Sequence, residues 1–208
     1  MCLEESLKGG SFFTSKFKTM KTKKKVVKKT KAERRIEILK DAIKQIKLQK
    51  IIASPGEVVD LNDPLLIEDD VYKEVDAKPR LEMFFKSKKV EPCFACARGS
   101  LLLCTVHKEN DFILSDFNSC GGSFEESSTT DKRLMRLFSK QQLILMENAF
   151  EVENMQDDEE DYNGINEDYL SSKLNKASID FGLKYEDPNE RLIAIFSNAI
   201  KNGGIFKP

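Results

Sequence analysis

Apolar residues recur every three or four positions along several stretches of the chain, and each such stretch predicts a helix. From about Thr30, Ile36, Leu39, Ile43 and Ile46 share one face with Ala42 beside them and charges opposite. Further on, Leu134, Leu137 and Phe138 form one stripe, and Leu143, Met146 and Phe150 form the core face of the next helix. Ser139 and Gln142 stand at capping-box spacing between the two. The last helix is the best marked: Asp187 suits its cap, Pro188 its first turn, and "GG" its end. Ile193, Phe196 and Ile200 point one way there, with Leu192, Ile195 and Ala199 widening the stripe.

Breakers divide these runs. "SPGEVVDLNDP" (Ser54 to Pro64) stops the first helix, "LLIEDDVYKEV" fits a strand or a short helix, and Pro79 with "KSKKVEP" reads as loop. "NSCGGSFEESSTT" reads as a Gly/Ser/Thr linker. The pattern predicts a mainly α fold. It is a single compact helical domain over 31–208 of five or six helices, with a short β pair near 55–75 and an acidic loop at 151–168. A flexible basic arm precedes it at 1–30.

Charge sharpens this division. The 208 residues carry a net −1, but residues 1–35 hold twelve Lys/Arg against three Asp/Glu, a balance of +9, and the remainder balances at −10. No basic residue falls between Lys140 and Lys173, where ten Asp and Glu gather. Like charges this dense repel, so each block is expected to be solvated or held by a partner. The block from Met20 to Arg35 is too poor in large apolar groups to offset its ordering entropy and reads as disordered or frayed. Met20 resembles a start position, with the residues before it as an upstream extension. No apolar run approaches the roughly 20 residues of a membrane helix. The first residues lack the apolar stretch of a signal peptide. Five cysteines, an odd number, then point to reduced thiols in the cytoplasm, or the nucleus if the source is eukaryotic.

"CFACARGSLLLCTVH" (Cys93 to His107) holds four potential zinc ligands: Cys93, Cys96, Cys104 and His107. Read as one helix from Pro92 to Lys108, it puts all four on one face but Cys93 and Cys104 about 16 Å apart. One ion cannot bridge that span with Zn–S bonds of about 2.3 Å, and only a break at Gly99 would change it. A redox C-x-x-C needs a strand before it and a surrounding βαβ pattern, which the sequence does not display. Tight packing of a small-residue helix face is the favoured reading, with no cofactor and no metal. Glu159, Asp161, Asn163 and Gly164 partly resemble an EF-hand loop, but the twelfth position is Leu170 where a bidentate Glu is needed. No nucleotide-binding glycine motif, nucleophile elbow or H-E-x-x-H is present, so no catalytic residue is assigned.

The basic residues carry the plainest functional implication. Lys21, Lys23, Lys24, Lys25, Lys28, Lys29, Lys31, Arg34 and Arg35 would give salt-sensitive, sequence-independent affinity for nucleic acid, or contact an acidic protein surface. No aromatic interrupts Thr19 to Arg35, which removes base stacking. The arm could also lie against the chain's own acidic segment.

"LFSKQQLILMENAFE", "ERLIAIFSNAIKNGGIFKP", "EPCFACARGSLLL" and "RRIEILKDAIKQIKLQKI" together resemble small uncharacterised proteins of bacteriophages and bacterial mobile elements. That resemblance implies a similar order of helices and no known activity. The expectation is a non-enzymatic accessory or interaction protein with no membrane segment. Its alternative is a metal- or thiol-dependent enzyme centred on Cys93, Cys96, Cys104 and His107.

Overall fold

Thr30 opens the first helix, α1 (Lys31–Lys47), with a complete capping box: its side chain accepts from the Glu33 N–H, and the Glu33 carboxylate accepts from the Thr30 N–H at 2.7 Å. The structure, a computed structural model, describes residues 29–56, 58–60, 77–88, 91–109, 129–152 and 171–208. Gln49, at φ 54°, turns the chain from α1 into strand β1 (Ile51–Ala53). Helix α2 (Ala77–Lys86) and strand β2 (Cys93–Ala95) follow. The strands pair in parallel, with Ile51 opposite Cys93 and Ala53 opposite Ala95. Asp60 adds a bridge to Phe94.

Helix α3 (Ala97–Lys108) is buried over ten consecutive residues, Ala97 to Val106. A helix buried on every side has no face to offer water, so it must be surrounded. Accordingly α1, α2, both strands, α4 (Thr129–Met135) and α5 (Lys140–Phe150) all pack on it. Helix α6 (Ser172–Gly182) lies on α5, and α7 (Pro188–Lys201) returns to pack on α1 and α5. One core runs through the domain, with Phe84, Phe138, Phe150, Phe196 and Phe206 wholly enclosed.

The predicted helical class is what the structure shows, with seven helices among the described residues. Several local expectations change. The stretch around Pro79 is helical, because Pro79 is the third residue of α2, where its missing N–H leaves no intrahelical bond unmade. Thr129 and Thr130 belong to α4, not to a linker. The β pair joins 51–53 to 93–95, not two segments near 55–75. Ser139 caps α5 as expected, accepting from the Gln142 N–H. The Gln142 side chain, however, reaches the chain's end instead of the cap. It accepts from the Phe206 N–H at 2.6 Å and donates to the Phe206 carbonyl at 3.2 Å. The segments 65–75, 118–128 and 153–170, the last containing the EF-hand-like sequence, lie outside the described residues.

Candidate functional site

The predicted basic positions divide at the start of α1. Lys21, Lys23, Lys24, Lys25 and Lys28 lie outside the described residues. Lys29 pairs with Glu37 at 2.6 Å, and Lys31 is exposed in the first turn. Arg34 and Arg35 belong to the folded domain, not to a frayed block. Arg34 makes a two-pronged contact with Glu109, at 3.1 and 2.6 Å, and Arg35 donates to the Leu137 carbonyl.

Downstream, Lys40, Lys44 and Lys47 are all exposed on α1. Spacings of four and three put them on one stripe about 10 Å long. Among the described residues, no carboxylate or carbonyl engages their ammonium groups. The i, i+4, i+7 lysine spacing was the available sequence signal, hidden inside a helix read for its apolar face.

The cysteine segment is not one helix. Cys93 sits in β2, Cys96 is the N-cap of α3, and Cys104 and His107 lie on α3. Parallel pairing with β1 draws Cys93–Ala95 into extended backbone. The strand therefore holds the first cysteine of the C-x-x-C pair and ends just before the second, and it closes a β–α–β unit, contrary to expectation. Gly99 is no hinge: it lies in the first turn of α3, pressed against the Val58 backbone. The thiols of Cys93, Cys96 and Cys104 are all buried. Burial, with Glu147 nearby, pushes the Cys96 thiol far up, and burial with Asp41 does the same to Cys104. A reactive thiol needs exposure, and for these two burial and a nearby carboxylate outweigh the charges of Arg98 and Lys108. Cys96 is instead structural: its sulfur accepts from the Gly99 N–H at 3.5 Å and donates to the Val58 carbonyl at 3.9 Å. Among the described residues no group of three or more His, Cys, Asp and Glu side chains is arranged to hold a metal ion.

His107 is committed elsewhere. Its Nδ1 meets Asp41 Oδ2 at 2.5 Å, and its ring stands edge-on to Phe85 with centroids 4.9 Å apart. Burial tends to raise the Asp41 carboxyl. Hydrogen bonds from His107 and Gln45, with the charges of His107 and Lys108, outweigh it and hold the group below the usual carboxylate range. Asp41 is therefore an acceptor, which places the proton on His107 Nδ1. The arrangement locks α3 to α1 through a buried polar contact.

A second buried polar cluster is not announced by any sequence motif. Arg98, 3% exposed, faces Asp131 on α4 and Glu147 on α5, each 3.9 Å from the guanidinium. Glu151, one turn beyond Glu147, is also buried and accepts from the Gly56 N–H at 2.7 Å. Burial, opposed by Arg98 and reinforced by Glu151 and Asp131, pushes the Glu147 carboxyl up to about 7. A raised carboxyl binds its proton more tightly in the folded chain than in the unfolded one. The stabilisation is thus complete below the unfolded pKa, near 4.5, and lost as pH rises through about 7. Stability from urea unfolding should fall between pH 5 and pH 8 by an amount on the order of 3 kcal/mol. Glu147→Gln should flatten that slope, because the amide has no proton to lose. An unchanged slope in the variant would place the titration elsewhere.

No protein-family model, no curated protein and no solved structure matches the chain. Among the described residues no helix is long and apolar enough to cross a membrane.

Proposed function

We propose that the chain is a non-enzymatic accessory or interaction protein that binds a polyanionic partner, nucleic acid or an acidic protein surface, through its basic N-terminal arm. The observation that carries this reading is the +9 balance of residues 1–35, most of it set directly ahead of the helix that Thr30 caps. Lysines clustered at that density gain affinity by releasing counterions, which needs neither a pocket nor a particular base sequence. The role is exercised in the cytoplasm of a host cell.

The test is fluorescence anisotropy of the full chain against random-sequence DNA duplex and against polyglutamate, between about 50 and 200 mM salt. Binding to at least one is expected to weaken steeply as salt rises. Replacing Lys21, Lys23, Lys24, Lys25 and Lys28 by Gln should reduce the slope of log affinity against log salt on duplex by about 4.5, roughly 0.9 for each lysine. Absence of binding to both polyanions, or binding indifferent to salt, overturns the reading.

A further inference from the structure

Each carboxylate on α1 is already occupied. Glu33 is held in the capping box by Thr30, Glu37 takes both oxygens to Lys29, and Asp41 is buried with His107, Gln45 and Lys108. The helix therefore offers solvent a stripe of positive charge, Lys40, Lys44 and Lys47, with none of its own acids left to neutralise it. An ordinary solvated helix face interleaves the two signs at i, i+4 spacing, and this one does not over those residues.

The composition of the stripe selects among polyanions. Lysine is depleted from the cores of protein–protein interfaces, whose anchoring residues are tryptophan, tyrosine and arginine. No aromatic side chain occurs anywhere on α1, so the stacking that holds single strands is missing. An ammonium can only donate, so it serves a ribose 2′-hydroxyl as an acceptor alone, whereas double-stranded RNA recognition draws on that hydroxyl as both donor and acceptor. Compact point charges on flexible stems suit phosphate oxygens, and three of them along about 10 Å of a rigid helix suit a regular backbone.

We infer that Lys40, Lys44 and Lys47 form a second contact surface, which lies along the phosphate backbone of duplex DNA when the arm engages it. This rests on the polyanion-binding reading above and narrows it. The arm supplies further lysines, and the stripe fixes how the folded domain sits against the duplex.

The experiment uses the full chain, a random-sequence DNA duplex, and an RNA duplex of equal length. Lys40→Gln, Lys44→Gln and Lys47→Gln are combined in one variant; all three side chains are exposed, and an unchanged thermal midpoint confirms its folding. A charge-matched control carries Gln at Lys173, Lys176 and Lys207, exposed positions on other parts of the domain. The α1 variant should reduce the salt slope on DNA by about 2.7, from roughly 0.9 for each phosphate that no longer meets a lysine, with the arm intact. The control should retain the full slope.

An undiminished slope in the α1 variant overturns the inference while leaving the arm reading in place. So does an equal reduction in the control, which would mean that net charge alone matters. Binding to polyglutamate but not DNA, or tighter lysine-dependent binding to the RNA duplex, also overturns it. If the unmodified chain binds no polyanion, the arm reading fails, and this inference with it.

Discussion

Gly99→Ala should destabilise the domain by about 3–5 kcal/mol, or prevent folding outright. An added Cβ would sit 1.4 Å from the Val58 carbonyl oxygen and 2.6 Å from its carbon. Both are backbone atoms, so relief requires the 58–60 segment to move. That segment is held on its other side by the paired bonds between Asp60 and Phe94, at 2.7 and 3.1 Å. Moving it would also strip the Val58 carbonyl from the Cys96 thiol. Within an exposed helix the same change would stabilise by about 1 kcal/mol, so the sign of the result discriminates. Gly203→Ala provides the scale: nothing lies within 4 Å of its added Cβ, but φ is +69°, and a cost of about 1 kcal/mol is expected. Urea midpoints of the two variants measure the contrast. A midpoint that rises for Gly99→Ala would mean that 58–60 does not lie against α3.

Arg191→Met should cost about 3–4 kcal/mol at neutral pH. The Arg191 side chain is buried, and its guanidinium donates to the Phe150 carbonyl at 2.8 Å and to the Tyr185 carbonyl at 3.1 and 3.0 Å. Phe150 is the last residue of α5, whose final carbonyls have no partner within the helix and carry its partial negative charge. Methionine fills similar volume but leaves two carbonyls unanswered, so the loss reports polar contacts more than packing. Arg191→Lys should recover only part of it, since one ammonium cannot match a planar fork serving two acceptors. Equal stability of the methionine variant and the parent chain, by chemical denaturation, would refute this role.

Much of the fold was readable in the chain because it is written in short-range periodicity. Ile36 to Ile46, Leu143 to Phe150 and Leu192 to Ile200 repeat at helical spacing, and Ser139, Asp187 and the terminal glycines mark ends by local chemistry. What was not readable depends on partners distant in sequence. Three residues, "IIA" and "CFA", are too few to display alternation, and β1 exists because β2 lies beside it. The extended conformation of Cys93–Ala95 follows from that pairing, whereas the local composition resembles the helix that begins at Ala97. Helix α2 was masked by Pro79, which a first turn tolerates.

The sites followed the same rule. Arg98, Asp131 and Glu147 each look like solvent-facing charges on their own helices, and only the packing of α3, α4 and α5 gathers them. His107 resembled a ligand until α1 supplied Asp41. The α1 lysines differ: their stripe was available from spacing, but the fate of Glu33, Glu37 and Asp41, which leaves it uncompensated, was not.

The clasp between α1 and α7 has a kinetic consequence. The first and last described helices are neighbours, so the chain must close its largest loop to complete the core. Most of the entropy of that closure is given up before the native packing forms, which slows the search relative to a helical fold held by contacts between sequence neighbours alone. It also ties the first and last described helices into one cooperative unit: loss of either uncovers the seam with the other, favouring a single sharp melting transition over stepwise loss of helices.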